Sequence, residues 1–178
     1  MSGSAAEERI RGKAEVMLRR LFPDARIIHE LVLKQGGVRI DLAAVSPGFL
    51  AAIEVKSERD VLTRLPEQTA EAMRVTDLFG VCVAAKHADK IGAYYHSKET
   101  VKVLLPYGAH LLTETDEGFI TRSSPFDPGW MGYDRIQSKL CNPADRLEML
   151  WADELKVIAG HRKLSRQPAK HFICETMN

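Results

Sequence analysis

Apolar and polar positions in this chain repeat with two different periods, and the switches between them divide it into elements. From Ala6 to Phe22, Ile10, Ala14, Met17, Leu18 and Leu21 recur at helical spacing and predict an amphipathic helix. Arg19 and Arg20 fall in its last turn, where cations complement the helix dipole, and Pro23-Asp24 ends it. Arg26 to Leu33 is rich in isoleucine, leucine and valine and reads as a strand, with Glu30 inside it. Gln35-Gly36-Gly37 is a turn into a hairpin, Arg39 to Val45 and Leu50 to Lys56. Ser46-Pro47-Gly48-Phe49 joins the two strands with the type II signature, proline presetting φ and glycine accepting φ > 0. A helix follows from about Leu65 to Phe79, with Pro66 in its first turn, where a missing N–H costs nothing. Val81 to Ala85 is a short buried strand, so strand, helix and strand form the crossover of a parallel pair.

Further along, His87 to Tyr95 reads as a helix, and Val101 to Leu105, Ala109 to Glu114 and Phe119 to Arg122 as strands. The prolines and glycine of Ser123 to Trp130 mark a boundary. Leu147, Leu150, Trp151, Leu155 and Ile158 make the apolar stripe of a last helix, with Asp145 as its cap. The fold class expected is α/β: a mixed central sheet of four or five strands with helices on both faces.

The hairpin carries the chemistry. Alternation places Arg39, Asp41, Ala43 and Val45 on one face of its first strand, and Leu50, Ala52, Glu54 and Lys56 on one face of its second. Ile40, Leu42, Ala51, Ile53 and Val55 point the other way, into a core. Ionisable groups rarely sit in apolar runs without a partner or a task. Asp41 and Glu54 are hard oxygen ligands suited to Mg²⁺ or Mn²⁺. Lys56 beside them is placed to stabilise a phosphorane-like transition state or help activate a water, the layout that phosphodiester hydrolysis needs. The plainer alternative is a salt bridge from Lys56 to Asp41 or Glu54.

Asp41 followed by Glu54-Val55-Lys56 resembles the core of the PD-(D/E)xK nuclease superfamily. Gly12-Lys13-Ala14-Glu15, with Leu18 and Leu21, resembles the first helix of the archaeal Holliday-junction resolvases in that superfamily. Leu65-Pro66-Glu67-Gln68 resembles a branch of small bacterial and phage nuclease-like proteins. The likeness spans residues 8 to 86. It departs from the pattern at Ile40, where the motif's leading proline would stand, and at Ala72 and Glu67, where that branch has a tyrosine and a basic residue. The resemblance implies a restriction-endonuclease-like core over residues 6–122, followed by a helical extension over 123–178. It implies a Mg²⁺-dependent DNA endonuclease, with Mn²⁺ as substitute. Asp41, Glu54 and the Val55 carbonyl would hold the metal, Glu15 would complete its site, and Gln68 would orient metal or water. A homodimer is common in such families. The rival from another class is a nuclease-fold protein that binds DNA or a protein partner without cutting.

Composition narrows the setting. The 178 residues are 45% hydrophobic, an ordinary globular fraction. A formal net charge of +1 means that DNA contacts must come from local basic surface. Arg64, beside the hairpin, is a candidate phosphate contact, as are Arg162, Lys163, Arg166 and Lys170 in the tail; solvated arginines and lysines are the alternative. Tyr94, Tyr95 and His96 are packing residues or base-stacking ones. Three widely spaced cysteines, Cys82, Cys141 and Cys174, read as free thiols of a reducing compartment. With His161 and His171, Cys141 and Cys174 match no strong zinc pattern. No apolar run has the length of a membrane span and no secretory h-region is present, so the expected location is the cytoplasm. Glu30 is either an edge charge or an additional site residue, and Glu8 is a substitute for Glu15.

Overall fold

A computed structural model of the chain describes residues 4–33, 37–46, 49–93, 101–106, 108–121, 147 and 149–159. Helix α1 (Ala5–Leu21) starts at Ser4, whose side-chain oxygen accepts the Glu7 amide at 3.3 Å. Strands β1 (Arg26–Leu33), β2 (Val38–Ser46) and β3 (Phe49–Lys56) pair antiparallel in sequence order. Helix α2 (Leu65–Ala72) leads into β4 (Leu78–Val83), parallel to β3 as the crossover requires. After a 3₁₀ turn at Ala85–His87 come β5 (Ile91–Ala93), β6 (Val103–Leu105), β7 (His110–Glu114) and β8 (Phe119–Thr121), and then α3 (Ala152–Ile158).

The main sheet has six strands in the order β1-β2-β3-β4-β7-β8 and is mixed: β3, β4 and β7 are parallel and the outer pairings antiparallel. It is larger than the four or five strands expected. Strands β5 and β6 form a separate parallel pair. The expected helix from His87 is therefore a 3₁₀ turn and a strand, because Ile91 and Ala93 extend to pair with Val103 and Leu105. Helix α2 stops at Ala72, well short of Phe79, which lies inside β4.

The sheet separates two apolar layers. On one side Ile10, Ala14 and Leu18 of α1 pack with Leu42, Ala44, Ala51, Ile53, Val55 and Cys82. On the other, Leu65 and Ala72 of α2 pack with Ala43, Leu50, Ala52, Val81 and Val83. Leu18 is fully enclosed, so Leu18→Ala is expected to cost about 2–5 kcal/mol. Helix α1 is pinned across the sheet as well: Arg9 binds the Glu114 carboxylate through two nitrogens at 2.9 and 2.8 Å, and Lys13 binds it at 3.0 Å.

One local irregularity shapes the middle of β1 and β2. Val38 and Ile40 belong to the α2-side core, yet Leu42, two residues on, belongs to the α1-side core. Strand β1 does the same, with Ile27 on the α1 side and Leu31 and Leu33 on the α2 side. Simple alternation put Ile40 and Leu42 on one face; the strands change face between them instead. The register His29↔Leu42 and Leu31↔Ile40 sets Glu30 opposite Asp41, and Glu30 has φ 53°, a conformation rare outside glycine. The left-handed residue reverses which side its neighbours face, so the period-two rule fails there.

Met149, Trp151 and Glu154 meet the start of β1. The Arg26 guanidinium bonds both oxygens of Glu154 and the Met149 carbonyl, and lies 4.4 Å from the Trp151 ring centre. Helix α3 starts after Trp151, later than the expected Leu147. The tail residues Arg162, Lys163, Arg166 and Lys170, the turn pair Pro47-Gly48, the cap Asp145, the aromatic group Tyr94, Tyr95 and His96, and Cys141, His161, His171 and Cys174 lie outside the described residues. Among the described residues no helix is long and apolar enough to cross a membrane.

Candidate active site

The β2–β3 ladder runs from Ser46↔Phe49 to Leu42↔Ile53. Next along is Asp41, whose side chain takes over a backbone role: its Oδ2 accepts the Val55 amide at 2.8 Å. Strand β3 continues beside β4 as far as Lys56↔Val83. The sheet thus presents Asp41, Glu54 and Lys56 where two strands part, buried to 7%, 7% and 8% residual exposure. Lys56 Nζ donates to Glu54 Oε1 at 2.5 Å and to Gln68 Oε1 at 3.2 Å. Gln68 lies one turn into α2, which is how a helix from the other layer reaches the site.

A cleft of about 170 Å³ opens here, lined by Gly37, Val38, Arg39, Asp41, Glu54, Gln68 and Glu71. Its electrostatics are those of crowded carboxylates. Burial pushes Glu54 up to about 6, and the Asp41 charge adds to the rise, while Lys56 works against it. Burial also raises Asp41, against the hydrogen bond from Val55 and the Arg11 charge. Both groups would gain from a cation in the cleft.

Of the residues expected at the site, Asp41, Glu54, Lys56 and Gln68 are brought together. Val55 contributes its amide to Asp41. Glu15 is not brought in: Arg19, one turn later on α1, binds it at 2.9 and 2.7 Å, and His29 of β1 lies 3.1 Å away. The Arg19 hydrogen bond keeps the Glu15 pKa below its ordinary value. The α1 side chain that does reach Asp41 is Arg11, one turn before Glu15. Its Nη1 donates to the Asp41 carbonyl at 3.0 Å. Arg64 is exposed at the N-cap of α2, the helix that carries Gln68.

Arg11 and Glu71 are site residues that the sequence pattern did not single out. Glu71 follows Gln68 at helical spacing, which is a usable signal. Arg11 precedes Glu15 by one turn, and only the rotation of α1 on the sheet distinguishes them. Among the described residues no group of three or more His, Cys, Asp or Glu side chains is gathered as metal ligands. The candidate ligand set is the Asp41–Glu54 pair, and its chemistry fits a hard divalent ion: oxygen donors, buried, mutually repelling and with raised proton affinities.

The fold and cleft thus define an α/β protein with a carboxylate–lysine group where two strands part. The family model described as Bacteriophage P4 protein cII matches residues 7–105, more than half of the chain, and the chain belongs to that family. The matched span includes Asp41, Glu54, Lys56 and Gln68. A crystal structure of a protein of unknown function, AF1548, is similar over 94% of this chain and 95% of that one, with 11% identity and a TM-score of 0.34. No curated protein matches the chain.

Proposed function

We propose that the protein is a Mg²⁺-dependent DNA endonuclease of restriction-endonuclease-like, PD-(D/E)xK type, with Mn²⁺ as substitute cofactor. The observation that carries the reading is the convergence of two buried carboxylates, Asp41 and Glu54, with Lys56 and Gln68 at the parting of β2 and β3. Asp41 and Glu54 would hold the ion, with the Val55 carbonyl as a further oxygen. Bound there, the ion would supply Lewis-acid polarisation of the phosphoryl group. The chain's own residues supply the rest. The Val55 amide locks Asp41 in orientation through Oδ2. Lys56 offsets negative charge as it grows on the phosphoryl oxygens, which is worth most in a partly dry cleft. Gln68 holds the Lys56 ammonium in place. Arg64 and the tail residues Arg162, Lys163 and Arg166 are proposed to contact DNA phosphates, and a homodimer in the cytoplasm belongs to the same reading.

The second reading is a nuclease-fold protein that binds DNA or a protein without cutting. The close Lys56–Glu54 pair favours it, because each charge already has a partner. Cleavage assays on supercoiled, single-stranded, flapped and four-way-junction DNA, with Mg²⁺, Mn²⁺, Ca²⁺ or EDTA, separate the two. Cutting in Mg²⁺ or Mn²⁺ that EDTA abolishes supports the first. Tight DNA binding with no cutting in any metal supports the second.

A further inference from the structure

A strand of DNA approaching the cleft meets carboxylates first. Asp41, Glu54 and Glu71 line it, and among the described residues of its lining Arg39 is the one cation. Lys56 is buried to 8% residual exposure with its ammonium on Glu54 and Gln68, so it is not the charge that an incoming phosphate reaches first. Arg39 is placed for that contact. It precedes Asp41 by two residues on β2, and its side chain is 69% exposed. Its Nε lies 3.4 Å from Glu30 Oε2, and among the described residues its two terminal nitrogens bond nothing. Burial raises the Glu54 pKa, and the Arg39 charge is among the effects that lower it, so the guanidinium is within electrostatic reach of the site.

We propose that Arg39 is the phosphate-binding residue of the cleft, its guanidinium taking the oxygens of one DNA phosphate and so holding the strand over Asp41 and Glu54. The inference rests on the nuclease reading above and names the residue that binds substrate there. Two parallel N–H···O bonds from one guanidinium fit a phosphate, and the terminal nitrogens of Arg39 are available as such a pair. Leaving Glu30 costs little. That contact is 3.4 Å long, and Glu30 keeps Arg11 at 2.8 Å, so its charge is not left alone. The work divides between two cations. Arg39 meets the phosphate in the ground state and sets affinity, while Lys56 acts as charge grows in the transition state and sets rate.

The test compares duplex DNA binding in Ca²⁺ with cleavage in Mg²⁺ on the full chain. Arg39→Met is expected to bind about tenfold or more weakly at low salt, the scale of a charge-assisted contact. Its slope of log K against log salt should be smaller by about 0.9, one phosphate no longer neutralised. In Mg²⁺ the loss should appear in KM with kcat little changed, the opposite of Lys56→Met. Arg39→Lys should keep the wild-type slope and recover part of the affinity, since it restores the charge without the fork. If Arg39→Met fails to melt cooperatively, Arg39→Gln is read in the same way. A folded variant with wild-type affinity and slope overturns the inference, and so does a loss confined to kcat. A wild type that binds DNA but never cuts overturns the nuclease reading alone, and affinity and slope still decide for Arg39. A wild type that binds no DNA overturns both.

Discussion

Asp41 accepts the Val55 amide at 2.8 Å where the ladder between their strands has ended, so a side chain completes the hydrogen bonding of the backbone. Directly across β1, Glu30 stands in a left-handed conformation. The two features belong together: the strands change face at this point, and the change exposes Asp41 to the cleft while Leu42 returns to the core.

Asp41→Asn should stabilise the metal-free protein. The raised Asp41 pKa means that its surroundings disfavour the charged form, and asparagine keeps an oxygen for the Val55 amide. The melting temperature at pH 8 in EDTA is expected to rise. Mn²⁺ should raise the melting temperature of the wild type, and that rise should disappear in the variant. A lower melting temperature in EDTA would show that the carboxylate is needed for folding.

Metal affinity should depend on pH through Glu54. Its folded pKa, about 6, lies above the ordinary 4.5. A raised pKa adds stability below the unfolded value, and that contribution is lost as the pH rises through about 6. In EDTA the wild type should therefore lose stability relative to Glu54→Gln between about pH 4.5 and 6.5. Mn²⁺ binding, which needs the carboxylate, should weaken about tenfold per pH unit below about 6. An affinity flat from about pH 5 to 8 would remove Glu54 from the ligand set.

Arg26 should control whether the α3 segment stays on the sheet. It bonds Glu154 and the Met149 carbonyl and stacks on Trp151. In Arg26→Ala, amide exchange of residues 152–158 is expected to accelerate about tenfold or more, while that of β3 and β4 stays slow. Equal acceleration in β3 would mean that α3 and the sheet unfold as one unit.

Truncation after Gly160 removes Arg162, Lys163, Arg166 and Lys170. If these residues bind phosphates, the slope of log K against log salt on duplex DNA should shrink by about 0.9 for each phosphate no longer neutralised. An unchanged slope assigns the tail to another role.

What the sequence made legible was local. The hairpin strands and the α2 crossover follow from the apolar pattern and Pro66, each acting over a few positions. Gln68 beside Lys56 follows from its place one turn into α2. The face change at Glu30 and Asp41 was hidden because the period-two rule assumes an unbroken extended strand, and nothing in the letters marks a glutamate at φ 53°. Glu15 gave way to Arg11 because helical spacing defines a stripe but not the depth at which the helix lies along the sheet. The strand at Ile91 was hidden because it has 3 residues, too few for a period-two pattern to show.

Lys56→Met tests the central claim most directly, because it keeps most of the apolar stem and removes the charge. The wild type should cut DNA in Mg²⁺. The variant should keep its DNA affinity in Ca²⁺ and its cooperative melting, while its cleavage rate falls roughly 10²-fold or more, the scale on which one preorganised electrostatic donor acts. A folded Lys56→Met protein that cuts at the wild-type rate, or a wild type that cuts no DNA in Mg²⁺ or Mn²⁺, would contradict the account.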